Sequence, residues 1–380
     1  MLHTSLRLRA THAGLGASVV VSVLAAACGS GPSAAPQSSE RDPKVESRDW
    51  SDDFPCATAT NHPRRVVGYL RTDVDLPWIE NGPASEALVL AGLTHVNLAF
   101  AVPNYDPKTS AYLGVSFLDT EETSTRAKNI KTLVSAAHRD GVKVLVSFMG
   151  AYHSSLPEHT RFLGEPAEEA RVAQDLAGLV ANYDLDGVDI DLESPVVNDR
   201  YAPFVTQVAQ YLSAQFGEQQ KLLTAAVAYW NRYEFPTETL RSYDFINVMS
   251  YDRPRGDGQE HSTMENVLED VTHFACERGV ASDKVVLGVP FYGLCYGTGC
   301  PAYTPSDRSL SYAQIHAEHP EASESDKLSS ANYWFTYNGP KTIRDKSEFA
   351  ARDLGGVMVW ALKHDDGTLF PALLEGRAHQ

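Results

Sequence analysis

From residue 64 onward the chain alternates between two hydrophobic rhythms. Short β-rich runs appear as RVVGYL near 66, THVNLAFA near 95, VKVLVSF near 143 and DGVDIDLE near 188. LLTAAVAYW near 222, DFINVMSY near 245, KVVLGVPFYG near 285 and GGVMVWAL near 356 complete the set. Several are apolar at consecutive positions, as strands covered on both faces must be. Between them the period lengthens to that of a helix. EEARVAQDLAGLVANY places Val172, Leu176, Leu179 and Tyr183 on one face, and YAPFVTQVAQYLSAQF does the same with Phe204, Val208, Tyr211 and Leu212. Eight strands alternating with helices predict a parallel (β/α)8 barrel, the TIM barrel, over residues 64–376. A doubly wound open sheet is the competing architecture, but no glycine-rich phosphate loop opens a helix after the first run.

The fourth run departs from the apolar pattern, because Asp186, Asp189, Asp191 and Glu193 crowd into it. Side chains alternate along a strand, so Asp189, Asp191 and Glu193 share one face and Val188, Ile190 and Leu192 the other. The acids then enter the barrel in a line, roughly 6 to 7 Å apart, at the end where barrels carry their chemistry. Close carboxylates cannot all ionise, so at least one keeps a proton near neutrality, which suits a general acid. Asp186 stands at the start of the strand, where a turn role suits it as well as a catalytic one. The stretch NYDLDGVDIDLE also fits much of a twelve-residue calcium loop. Against that fit, its first position is Asn182, Asp189 stands where an aliphatic residue is usual, and SPVVN starts no helix comfortably.

The N-terminus reads differently. In residues 1–27, Arg7 and Arg9 precede AGLGASVVVSVLAAA, an apolar run ending in small residues, which predicts a signal peptide. The run is too short to span a bilayer comfortably. Cys28 follows directly and resembles the acylated cysteine of a bacterial lipobox, although Leu24 stands one position further from it than that pattern prefers. A lipoprotein anchor and plain secretion are thus the two expectations, both for an exported protein. Residues 28–60, rich in Ser, Pro, Gly and charge over the first part, are expected to form a tether. The formal net charge of −17 makes nucleic acid and anionic membrane surfaces poor partners, leaving a lipid anchor as the one route to a membrane. Without Cys28, four cysteines are left, Cys56, Cys276, Cys295 and Cys300, which allow three pairings. The histidines are scattered, and no His/Cys cluster has ligand spacing, so neither metal nor cofactor is expected.

DGVDIDLE matches the D-x-x-D-x-D-x-E signature of glycoside hydrolase family 18, the chitinase-like barrels, on the fourth strand. MSYD, from Met249 to Asp252 on the sixth run, resembles the family's M-x-Y-D, GVPFYG on the seventh its G-x-P-x-Y-G, and GGVMVWAL on the eighth supplies its tryptophan. The third run departs from the usual S-x-G-G: Ser147 and Gly150 are present, but Met149 replaces the first glycine, which would add a side chain beside the innermost sugar subsite. The segment between runs seven and eight is short for the family's large inserted α+β lobe, so a shallower, more open groove is expected.

The resemblance implies hydrolysis of β-1,4 bonds beside N-acetylglucosamine, with the substrate's own acetamido oxygen as nucleophile. Glu193 would be the acid and base. Asp191 would orient the acetamido N–H, and Asp189 would share a proton with Asp191, with Ser147 and Tyr69 as partners beneath. Tyr251 would hold the acetamido carbonyl, and Trp360 would floor the reacting sugar. Met249, Asp252 and Tyr292 match groove-lining positions, and Trp230 either extends the sugar platform or caps a helix. In such a barrel Cys295 and Cys300 fall on the catalytic face and Cys56 and Cys276 on the opposite one, so like pairs with like. The expected substrate is chitin or chitooligosaccharide, acted on by a monomer. N-glycan cores or peptidoglycan are alternatives that the same motifs serve, and a non-catalytic sugar-binding member is disfavoured because Glu193 is retained.

Overall fold

The computed structural model describes residues 50–59, 61–73, 75, 91–118, 124–253, 260–301 and 308–379. The signal-like segment, Cys28 and the tether up to residue 49 lie outside the described residues. All described residues belong to one compact unit, Ser47–Gln380.

Each of the eight apolar runs forms a strand of one closed barrel. In chain order the strands are β1 (Arg65–Arg71), β2 (His95–Tyr105), β3 (Tyr112–Phe117), β4 (Lys143–Met149), β5 (Gly187–Asp191), β6 (Leu222–Ala228) and β7 (Ile246–Met249). β8 (Val285–Pro290), β9 (Tyr292–Gly297), β10 (Ser309–Ser311), β11 (Lys327–Ser329), β12 (Tyr333–Thr336) and β13 (Gly356–Trp360) follow. Parallel pairing runs β1-β2-β4-β5-β6-β7-β8-β13 and closes from β13 back onto β1, while β3 adds antiparallel to β2 outside the ring.

Alternation decides what each strand face does. Val66, Leu70, Val96, Leu98, Val188 and Ile190 face outward into the core shared with the helices. Val67, Tyr69, Ala226, Val286 and Met358 fill the barrel interior. The helices Pro166–Tyr183 and Tyr201–Phe216 bury Val172, Leu176, Leu179 and Tyr183, and Phe204, Val208 and Leu212, with Tyr211 half-buried. One polar layer crosses the barrel interior: Ser147 stands opposite Asp189 across β4 and β5, and Asp189 opposite Thr224 across β5 and β6.

Two boundaries differ from the sequence reading. The tether ends before residue 60, because Trp50–Asp53 forms a 3-10 helix, Phe54 is buried edge-on against Phe349, and Cys56 is bonded to Cys276. Packing and a crosslink, which composition cannot show, bind that stretch to the barrel. Between β8 and β13 the chain builds a small lobe, the antiparallel sheet β10-β9-β12-β11 with the helix Tyr312–Glu318. It is no large lobe, but its strands of three to six residues are too short to show alternation in sequence. The Cys295–Cys300 bridge lies within it, with Cα atoms 6.0 Å apart.

Candidate active site

β5 carries its acids up through the barrel axis. Asp189, Asp191 and Glu193 are 0%, 4% and 5% exposed, so all three have lost nearly all contact with bulk water. The strand ends at Asp191, and Glu193 follows just beyond it with its backbone N–H donating to the Ser154 hydroxyl at 3.2 Å. Gly187–Asp191, the middle of the stretch that fits a calcium loop, is a barrel strand paired on both sides with β4 and β6 rather than a loop wrapped round an ion, which rules that reading out. Asp186 accepts the Val144 N–H at 2.7 Å and lies 2.8 Å from His138 Nε2, fastening the lower end of β5 to β4.

The three buried acids meet different surroundings. Asp189 accepts hydrogen bonds from Tyr69 (2.6 Å) and Ser147 (2.9 Å) on one oxygen, and from Thr224 (2.6 Å) and Asn247 (3.2 Å) on the other. Burial pushes its carboxyl up, and these donors draw it back towards the charged form. Asp191 and Glu193 have no side-chain hydrogen bond among the described residues. Burial, then the nearby Glu193 and Asp189, hold the Asp191 carboxyl well above the usual range. Burial and the charge of Asp252 raise Glu193 to about 8. The shared proton expected between Asp189 and Asp191 therefore has no counterpart: no hydrogen bond joins them, and Asp189 already receives four donors.

Above Asp191 and Glu193 opens a cleft of about 980 Å³. Met249, Tyr251, Asp252, Trp230 and Trp360 line it with the two acids. The Tyr251 hydroxyl has no hydrogen bond among the described residues, and its ring is seated against Gly288, where a Cβ would come within 3.2 Å of it and 2.6 Å of the Val248 carbonyl. Trp360 stacks on Phe100 at 5.7 Å and meets Tyr69 edge-on at 5.4 Å. An indole face fixed in this way can take the apolar face of a sugar ring.

Tyr69 and Ser147 are buried beneath the cleft and donate to Asp189, the place the resemblance implies for them. Two expected positions are corrected. Tyr292 is likewise buried, and its hydroxyl donates to the Asp252 carboxylate rather than facing the cleft. Met149 adds nothing to the sugar site: at φ 87° its wholly buried side chain joins the outer core, away from the cleft lining.

Other residues here carry no motif. Thr224 and Asn247 each interrupt an apolar run at an inward position, the same signal that Ser147 carries. Phe100 and Tyr152 read only as apolar residues, and both line the cleft. Ser309, Ser311 and Gln314 of the small lobe form part of its wall, so the expected open groove is bounded on that side.

A parallel eight-stranded barrel with buried acids at the top of its fourth strand and a stacked tryptophan on its eighth defines a class of glycosidases. The sequence model described as "Glycosyl hydrolases family 18" matches residues 65–365, and the chain belongs to that family of glycoside hydrolases. Among solved structures, the GH18 chitinase ChiB from the chitin utilization locus of Flavobacterium johnsoniae is 28% identical with a TM-score of 0.66, over 83% of this chain and 94% of that one. A chitinase from Bacteroides thetaiotaomicron is 25% identical with a TM-score of 0.67, over 83% and 96%. The Nod factor hydrolase protein 1 of Medicago truncatula is 26% identical over 76% of this chain and 85% of its own length.

Proposed function

We propose that this protein is an exported hydrolase of β-1,4-linked N-acetylglucosamine polymers, chitin and chitooligosaccharides, acting with retention through the substrate's own acetamido group. The observation that carries the proposal is the pair Asp191 and Glu193, buried with no side-chain hydrogen bond among the described residues, beside a Tyr251 hydroxyl that has none there either. Groups left unpaired in a cleft wall are groups reserved for a ligand.

In the first step the acetamido carbonyl oxygen bonds to the anomeric carbon as the glycosidic C–O bond breaks. Glu193 gives its proton to the leaving oxygen, and a pKa of about 8 keeps that proton in place at neutrality. Tyr251 donates to the acetamido carbonyl and Asp191 receives the acetamido N–H, stabilising the cationic oxazolinium ring. In the second step Glu193, now a carboxylate, takes a proton from water as that water attacks the anomeric carbon from the opposite face. The ring opens, the acetamido group is regenerated and the configuration is retained. Trp360 supports the reacting sugar, and Trp230, 39% exposed at the rim, extends the platform.

The signal-like N-terminus supports export, and the cysteine after it supports a lipid anchor at Cys28. Mass analysis of the mature N-terminus tests the anchor: an unmodified Cys28 in the soluble exported fraction would exclude it. For the activity, chitooligosaccharides, N-glycans, peptidoglycan and cello-oligosaccharides are digested in parallel and the product anomers followed by NMR. Retained products from chitooligosaccharides and none from cello-oligosaccharides, which lack the nucleophile, are expected. Inverted products or a covalent sugar on a carboxylate would sink the mechanism.

A further inference from the structure

The segment carrying Tyr251 and Asp252 leaves β7 in a backbone state that an L-residue adopts only at some cost, with Asp252 at φ 60°. Among the described residues the Tyr251 hydroxyl has no hydrogen bond of its own to hold it. Where it points is set by the seat of its ring and by the backbone on either side.

That backbone is gripped from behind by a carboxylate no motif announces. Asp270, on the helix Met264–Thr272, is fully buried and does not line the cleft. Its Oδ2 accepts the Ser250 hydroxyl at 2.7 Å, and its Oδ1 accepts the Arg253 guanidinium at 2.5 Å. Ser250 and Arg253 are the immediate neighbours of Tyr251 and Asp252, so one carboxylate holds both ends of the pair. The surrounding charges balance: Arg232 lies 3.5 Å from Asp270 and 2.9 Å from Glu269, and Glu269 lies 3.2 Å from Arg253. Arg253 also lies over the Tyr229 ring at 4.2 Å, which fixes its side chain. On the other side the Ser262 hydroxyl donates to the Ser250 carbonyl at 2.6 Å, and the buried Lys346 ammonium donates to the Ser262 carbonyl and hydroxyl at 2.7 Å each.

We infer that Asp270 is a positioning residue for hydrolysis: by clamping Ser250 and Arg253 it aims the Tyr251 hydroxyl at the reacting acetamido group. This rests on the proposed role of Tyr251. A clamp that served only to glue the helix to the barrel would have no reason to bracket this pair from both sides. Ser250→Ala removes one arm of the clamp without leaving a buried charge, and Asp270→Asn weakens both.

The test is a double-mutant cycle on chitooligosaccharide, with Asp270→Asn and Ser250→Ala each made in the wild type and in Tyr251→Phe. In the wild-type background kcat should fall about tenfold or more for Asp270→Asn and about threefold for Ser250→Ala, with KM changed less than about twofold. In Tyr251→Phe, which has no hydroxyl to aim, both effects should shrink to less than about twofold. Undiminished losses in that background would overturn the inference and assign Asp270 a purely structural role. If Asp270→Asn does not fold, the Ser250→Ala cycle decides alone. If the wild type hydrolyses none of these substrates, the proposed function fails first, and a crystal structure of Ser250→Ala still judges the clamp. A Tyr251 hydroxyl displaced from its wild-type position supports the clamp, and an unmoved one refutes it.

Discussion

The lower and upper parts of β5 are buried equally and treated oppositely. At Asp189 the neighbouring strands supply three hydroxyls and an amide; at Asp191 and Glu193 they supply nothing. Desolvation penalises the charged form at all three. The comparison teaches that burial alone does not decide whether a carboxylate is structural or reactive. Donors draw Asp189 towards its charged form and tie four strands to β5, whereas without them the Asp191 and Glu193 carboxyls stay raised beside the cleft.

The sharpest way to break this contrast is Glu193→Gln. It keeps shape but has no proton to give, so hydrolysis should fall by about 10²-fold or more while oligosaccharide binding persists in calorimetry. Its stability should move the other way. Glu193 has a folded pKa raised from 4.5 to about 8, so its stabilising contribution is present below pH 4.5 and is lost as pH rises through about 8. Across that window the melting temperature of Glu193→Gln should gain on the wild type. A variant that melts progressively lower than the wild type as pH rises would contradict the assignment.

The scaffold beneath has tests of its own. Replacing Cys56 and Cys276 with serine removes a crosslink spanning 220 residues and should cost about 2–4 kcal/mol, read from denaturant unfolding, with kcat nearly unchanged. Asp189→Asn turns an amide against donors that need an acceptor and should cost about 1–3 kcal/mol. Asp191→Asn, with no donors to disappoint, should leave the melting temperature unchanged or raised while crippling turnover. Equal stability losses in the two variants would erase the distinction between the two ends of β5.

A smaller effect tunes the same acid. The negative charge of Asp252 helps raise Glu193, so Asp252→Asn should lower that pKa. Because the protonated form is the active one, the alkaline limb of kcat/KM should move to lower pH. A limb that stays in place or moves up would remove Asp252 from the electrostatics of the acid.

Much of this was legible in the chain. Strand alternation placed Asp189, Asp191 and Glu193 on one face, because side-chain period depends only on local backbone geometry. The eight apolar runs marked the barrel, since a strand covered on both faces must be apolar on both. What no local pattern held was which groups meet across the ring. Thr224 and Asn247 reach Asp189 only because β6 and β7 lie where barrel closure puts them. Met149 turned away from the cleft through its backbone angle, which its identity does not announce. Asp270 finds Ser250 and Arg253 only when the helix Met264–Thr272 packs behind β7. The sequence alone determined which residues could be acids in a line; tertiary structure decided, by giving donors to one and withholding them from two, which of those acids are reactive.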